Sequence, residues 1–255
     1  MSIIDAHTHP VFFGAGRSRS EVIDLVRRAR GLGIDRMVAL GDVLRHGRLP
    51  TARQVTAIND ETAQLLRWHP DFFVGFCFLN PLLGERVAQC EVERAVELGF
   101  RGLKLEISNN ARDVCMRPVM RLAERYGMVV LQHSWRQTNI RERRFHSDPA
   151  DTVVLAQRFP DVPVIMAHLT GCGVPGVLAA RGVDNLFVDT SGAAPEEGLV
   201  AYAVEQLGAE RIIYGSDWPI RDLPVAIARI TGARLGRSAE RRILGENVRR
   251  LLQLS

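Results

Sequence analysis

Short β-branched or aliphatic runs alternate with helix-patterned segments along the whole 255-residue chain, and this alternation limits the fold more than any single motif does. The runs are Ser2–His7, Arg36–Leu40, Phe72–Leu79, Gly102–Ile107, Met128–His133, Val162–His168, Leu186–Thr190 and Arg211–Ser216. Eight runs in 255 residues give ~32 residues per unit, the length of one strand–helix repeat. Strands alternating with helices imply a parallel sheet. Eight units imply that the sheet closes, because closure leaves no unpaired edge. The expectation is an α/β protein: one (β/α)8 barrel domain over residues 1–255, with no linker, low-complexity tract or N-terminal accessory domain.

The segments between the runs carry helix signals. Ser18-x-x-Glu21 reads as a capping box before Val22, Leu25, Val26 and Ala29, with Gly31 as the stop. Asp148-Pro149 reads as a cap and a first-turn proline before Val153, Val154 and Ala156. Pro195-Glu-Glu reads as an acidic first turn, and Ser238–Leu252 as an amphipathic closing helix.

Composition excludes several classes. No apolar run approaches the ~18 residues of a membrane span, and the start MSIIDAHTHP lacks the pattern of a signal peptide. The net charge of +4 is spread along the chain with no basic stripe, which argues against nucleic acid as a partner. Cys77, Cys90, Cys115 and Cys172 form no C-x-x-C pair and read as reduced thiols of a cytoplasmic protein. Lys104 is the only lysine among the 33 basic residues.

In such a barrel alternate strand residues face inward, and active sites form at the C-terminal strand ends. Asp5-Ala-His7-Thr-His9 ends the first strand with two imidazoles on one face, a spacing that lets both reach one cation. His133 ends the fifth strand, His168 the sixth and Asp217 the eighth. Any one of these histidines could instead be a core residue satisfied by a carbonyl, but their convergence on one barrel mouth favours a metal centre. A carboxylate there also needs a cation or a donor cluster. His46 and His69 read as exposed or capping residues, and His146 as part of a solvated basic loop. On the fourth strand, alternation puts Leu103 and Leu105 outward and Lys104 and Glu106 inward. Lys104 can bind a substrate carboxylate as an ammonium, or pair with Glu106.

Five segments in order resemble the amidohydrolase superfamily, in its compact branch of TIM barrels that includes the aminocarboxymuconate-semialdehyde decarboxylase type. They are DAHTHP, GFRGLKLE, VVLQHS, VIMAHLTG and IIYGSDWP, with GENVRRLL similar to the family's closing helix, so that the likeness runs from residue 3 to 252. The resemblance implies that His7, His9, His133 and Asp217 hold a metal and that Asp217 also takes a proton from a metal-activated water. It implies that His168 acts beside the metal or ligates a second one. It also implies that Lys104, carboxylated, bridges two metals where two are present. Imidazole and carboxylate donors without thiolate suit zinc, with manganese, iron or cobalt as alternatives, and one or two ions.

The expected activity is hydrolysis of a small amide, lactone or ester. The alternative is metal-assisted, non-oxidative decarboxylation of a small unsaturated or aromatic acid, and a catalytically dead binding barrel is a third reading. Arg136 and Arg144, with Arg141 and Arg143, are candidates for holding an anionic substrate, and Trp218 or Trp135 for covering a planar group. The partner is then a small molecule, and homo-oligomerisation is left open.

Overall fold

A computed structural model describes residues 2–12, 18–136, 139–194 and 196–254. The elements follow one another as β1 (Ile3–Thr8), α1 (Arg19–Gly31), β2 (Ile34–Ala39), α2 (Ala52–Trp68), β3 (Phe73–Leu79), α3 (Glu85–Glu97), β4 (Gly102–Leu105) and α4 (Met116–Arg125). The second half continues with β5 (Val129–Gln132), α5 (Pro149–Arg158), β6 (Val164–Met166), α6 (Leu169–Ala179), β7 (Leu186–Asp189), α7 (Leu199–Leu207), β8 (Ile212–Ile213) and α8 (Leu223–Thr231). The chain then closes with α9 (Arg237–Arg241) and α10 (Asn247–Leu251). The eight strands are parallel and pair in sequence order. Backbone bonds from Ala6 N to Tyr214 O (3.0 Å) and from Asp217 N to His7 O (2.8 Å) join the last strand to the first. The fold is therefore a single (β/α)8 TIM barrel, as the alternation predicts.

Two apolar layers account for the packing. Ile4, Val38, Phe76, Leu131, Ile165 and Ile213 are alternate strand residues that fill the barrel interior. The intervening positions, such as Met37, Cys77, Leu103, Val130 and Val188, pack outward on the helices. Fully burying side chains of this size contributes about 1.5–3 kcal/mol each, so both layers favour one strand register. Helix starts follow the local signals: Ser18 and Glu21 form the capping box of α1, and Asp148 caps α5 with Pro149 behind it.

Two expectations change. Pro195 lies outside the described residues; Glu196 and Glu197 precede Gly198, the N-cap of α7, so neither acid is in its first turn. The closing segment is not one regular helix, because residues Arg242–Glu246 form a π-helical turn between α9 and α10. A Cβ at Gly245 would lie 2.4 Å from the Ser2 carbonyl, so the turn packs against the start of β1. The turn also turns the Ile243 carbonyl to Tyr214 N (2.9 Å), tying the segment after β8 to this helix.

Candidate metal centre

A cavity of about 110 Å3 opens at the C-terminal strand ends. His7 from β1 and His9 just after it, Lys104 from β4 and Glu106 just after it, His133 after β5, His168 after β6 and Asp217 after β8 line it. Apart from the half-buried His133, these side chains are almost entirely removed from solvent.

The two β1 imidazoles each have one nitrogen committed. His7 Nδ1 lies 2.7 Å from Asp189 Oδ2, and His9 Nδ1 donates to the Gly41 carbonyl at 2.8 Å. A carbonyl only accepts, and although burial works to raise Asp189, its contacts with the His7 ring and the Ser191 hydroxyl hold the carboxyl below its usual range. Both rings therefore carry their proton on Nδ1 and leave an Nε2 lone pair. Asp217 Oδ1 is 3.6 Å from His7 Nε2 and 3.8 Å from His9 Nε2. His7 Nε2 is buried with no partner among the described residues. An orphaned buried acceptor costs about 1–3 kcal/mol unless something binds it. Two imidazole lone pairs and a carboxylate oxygen converging on one point fit a divalent first-row cation. The anchors behind His7 and His9 are the carboxylate and carbonyl partners that orient metal-ligating histidines.

A second chain of contacts lies beside this point. Lys104 Nζ is 3.0 Å from Glu106 Oε2, and Glu106 Oε1 is 2.8 Å from His133 Nδ1. His133 Nδ1 is also 3.2 Å from His168 Nε2, while His168 Nδ1 is 2.8 Å from Ser191 Oγ. The Ser191 hydroxyl donates to Asp189 Oδ1. Burial works to raise Glu106, yet its contacts with His133 and the Lys104 ammonium hold its carboxyl well below the ordinary value. Burial pushes His9 down to about 3 and keeps His168 well below the usual histidine range, so both imidazoles are neutral near pH 7. Burial raises Asp217 against the opposing pull of His7 and Lys104.

A family model described as amidohydrolase matches residues 4–254. The chain belongs to the amidohydrolase family. It is accordingly an enzyme of the amidohydrolase superfamily, whose members use divalent metals. No curated protein sequence matches it. Among solved structures it is similar to 2,6-dihydroxybenzoate decarboxylase from Rhizobium, with 18% identity, TM-score 0.78, and 100% of this chain and 99% of that one covered. It is also similar to dihydroxybenzoic acid decarboxylase from Polaromonas sp. JS666 with bound manganese and 2-nitroresorcinol, with 17% identity, TM-score 0.75, and 99% and 97% covered. A third likeness is to a candidate 2-pyrone-4,6-dicarboxylic acid hydrolase from Pseudomonas putida, with 19% identity, TM-score 0.70, and 99% and 97% covered. At these identities the likeness is one of fold.

Within this amidohydrolase barrel, His7, His9, Lys104, His133, His168 and Asp217 come together in one cavity. The arginines do not join them. Arg136 and Arg144 are exposed; Arg144 stacks on Phe145 at 4.3 Å, and Arg143 pairs with Asp148 at 2.9 Å. The loop carrying them is held by local acids and aromatics instead: Arg48, after β2, reaches Glu142 at 2.5 Å. Trp218 is buried in the outer core, and Trp135 is the tryptophan that lines the cavity. His146 is half-buried rather than solvated, with its ring centre 6.3 Å from that of His133. The sequence reading did not single out Asp189 and Ser191. Asp189 was legible as a carboxylate at the C-terminal end of the seventh strand, whereas nothing local marks Ser191 or the Gly41 carbonyl.

Proposed function

We propose that this amidohydrolase is a one-metal hydrolase of a small, uncharged amide, lactone or ester, with His7, His9 and Asp217 holding zinc and His133 alongside. The observation that carries the reading is the meeting of Asp217 Oδ1 with the two free Nε2 atoms of His7 and His9. A divalent cation bound by these residues supplies Lewis acidity, which acidifies water and polarises a carbonyl group. Asp217, whose Oδ1 meets the Nε2 atoms of His7 and His9, is the base that takes the water's proton and returns it to the leaving group. His168, neutral and fixed by Ser191 on one nitrogen and His133 on the other, stands beside it as part of the cavity wall. Trp135 and Phe12 supply an apolar and planar wall.

Charge favours hydrolysis over decarboxylation. Lys104 is the only cationic side chain among the described lining residues, and its contact with Glu106 leaves it no surplus charge for a substrate carboxylate. The same ion pair disfavours Lys104 as a carboxylated bridge, since a carbamate would set a second anion against Glu106. The decarboxylase reading stays as the second one, favoured by full-length likeness of fold to two dihydroxybenzoate decarboxylases. A panel of neutral lactones, esters and amides, assayed beside dihydroxybenzoates, tests the choice. The expected result is turnover of a neutral compound that chelator abolishes and zinc or manganese restores. Carbon dioxide release from the acids, with no hydrolysis, would reverse it.

A further inference from the structure

The only lysine of the chain is buried beside Glu106, which in turn touches a cavity histidine. Lys104, on β4, is fully buried, and Glu106, just after β4, is 8% exposed. A buried ion pair earns its place only when its geometry and remaining hydrogen bonds are good, and an apolar pair is often as stable. Cross-strand register puts Lys104 opposite Phe78 on β3 and Leu131 on β5, apolar neighbours that give this charge no structural reason to be here.

We infer that Glu106 is a positioning residue that holds His133 by its Nδ1–H, and that Lys104 in turn anchors Glu106. The carboxylate has two oxygens and uses one for each partner: Oε2 at 3.0 Å from Lys104 Nζ, and Oε1 at 2.8 Å from His133 Nδ1. A carboxylate only accepts, so the His133 proton sits on Nδ1 and its Nε2 carries the lone pair. His168 Nε2, 3.2 Å from the same Nδ1, accepts a second branch of that N–H, and its own Nδ1–H goes to Ser191. Glu106 does for His133 what Asp189 does for His7 from the opposite wall of the cavity. Half-buried as it is, His133 is the most exposed of the four cavity imidazoles and gains most from a tether.

The test has two arms. In metal-free protein carrying 15N-labelled histidine, His133 should show the Nδ1–H tautomer with a downfield proton. Glu106→Gln, whose amide oxygen is a weaker, uncharged acceptor, should move that proton clearly upfield. In the second arm, Zn2+ affinity is measured by chelator competition; this arm rests on the metal centre proposed above, whereas the first does not. Loss of one such partner typically weakens metal binding about 10- to 100-fold. Glu106→Gln and Lys104→Met should each weaken Zn2+ binding, and together cost little more than Glu106→Gln alone, because they act through one tether. The double variant leaves no unpaired buried ion and serves if a single variant fails to fold. An unchanged His133 signature in folded Glu106→Gln or in the double variant overturns the inference, as do fully additive losses. Wild-type protein that binds no Zn2+ yet shows the tether overturns the metal reading alone.

Discussion

His168 and Asp217, the two candidate catalytic residues, sit at φ 69° and 63°, in the left-handed region where side chains other than glycine are uncommon. Such positions cost of order 1–3 kcal/mol and persist where surrounding contacts over-determine them. The contacts here are the Asp217 N to His7 O bond and the His168 N to Asp189 Oδ1 bond at 3.0 Å. Asp217→Asn keeps this backbone but cannot take a proton, so activity should fall at least 100-fold, the low end for general-base loss, while the thermal midpoint stays near wild type. His7→Ala and His9→Ala should lose most bound metal by elemental analysis, and wild-type metal content in both would remove the centre. The buried titrating groups also set how the metal-free protein responds to pH. His9 at about 3 and His168 well below normal contribute stability present above about 6.5 and lost as pH falls. Asp5, pushed up to about 7 by burial, and the raised Asp217 have the opposite sign. Their contribution is complete below about 3.9 and is lost as pH rises through the folded value. Between pH 7 and about 4.5 the two sets oppose each other. Lower still, the carboxyl gain stops and the depressed Glu106 and Asp189 begin to lose theirs. The thermal midpoint of metal-free protein should be nearly flat from pH 7 to about 4.5 and then drop steeply. A steady decline beginning near 6.5 would mean that Asp5 and Asp217 do not titrate as burial requires.

At the scale of elements, alternation along each strand decides which residues reach the cavity, and where it operates the sequence is readable. Gly102 and Lys104 on β4 with Glu106 just beyond it, Val129 and Leu131 on β5 with His133 just beyond it, and Phe187 and Asp189 on β7 are successive inward positions. Two strand ends break the rule. Ile4 and Ala6 point into the interior, so strict alternation would send His7 outward, yet its ring reaches the cavity. A register shift between Asp5 and Thr8 re-aims it, as β-bulges do beside active sites. On β6, Ile165 and Ala167 face in, and the left-handed turn at His168 brings the next residue in as well. No local motif announces either irregularity, so the sequence could place these histidines at strand ends without showing how they arrive. The arginine candidates lie off the cavity lining for a different reason: their loop meets the loop after β2, a contact that nearest-neighbour pattern cannot supply. The approach of β8 to β1 makes its own prediction. A Cβ at Gly215 would meet His7 Cβ at 2.9 Å and Asp189 Cγ at 3.3 Å. Gly215→Ala should therefore push His7 away from Asp189 and Asp217. Zn2+ affinity should fall by at least tenfold, on the scale of a lost ligand-orienting contact, with circular dichroism unchanged; undiminished affinity would show that the wall yields elsewhere.

For the molecule as a whole, the candidate ligands lie on both sides of the barrel's closing seam. A larger cavity, about 480 Å3, lies at the other end among Arg36, Phe73 and Arg101, but it contains no histidine or carboxylate. The cavity that gathers the histidines is at the end of the barrel where the chain from β8 crosses to β1. β8 is two residues long, and the seam is held by a few backbone bonds, including Ala6 to Tyr214 and His9 N to Trp218 O at 2.7 Å. His7 and His9 belong to one side of that seam and Asp217 to the other. A cation held by all three would tie residue 7 to residue 217 and bind the folded barrel far better than the unfolded chain. Ligand at 100 times its dissociation constant then stabilises by about 2.7 kcal/mol, which corresponds to roughly 5–11 °C for a domain near this size. Chelation should lower the thermal midpoint by that order, with zinc restoring it, and the amides of Ala6, His9 and Asp217 should lose most protection from hydrogen exchange. Amides inside β3 to β5 should change little, because their ladders are complete without the seam. Equal loss of protection around the whole barrel, or none at the seam despite bound zinc, would show that the ion does not join these strands.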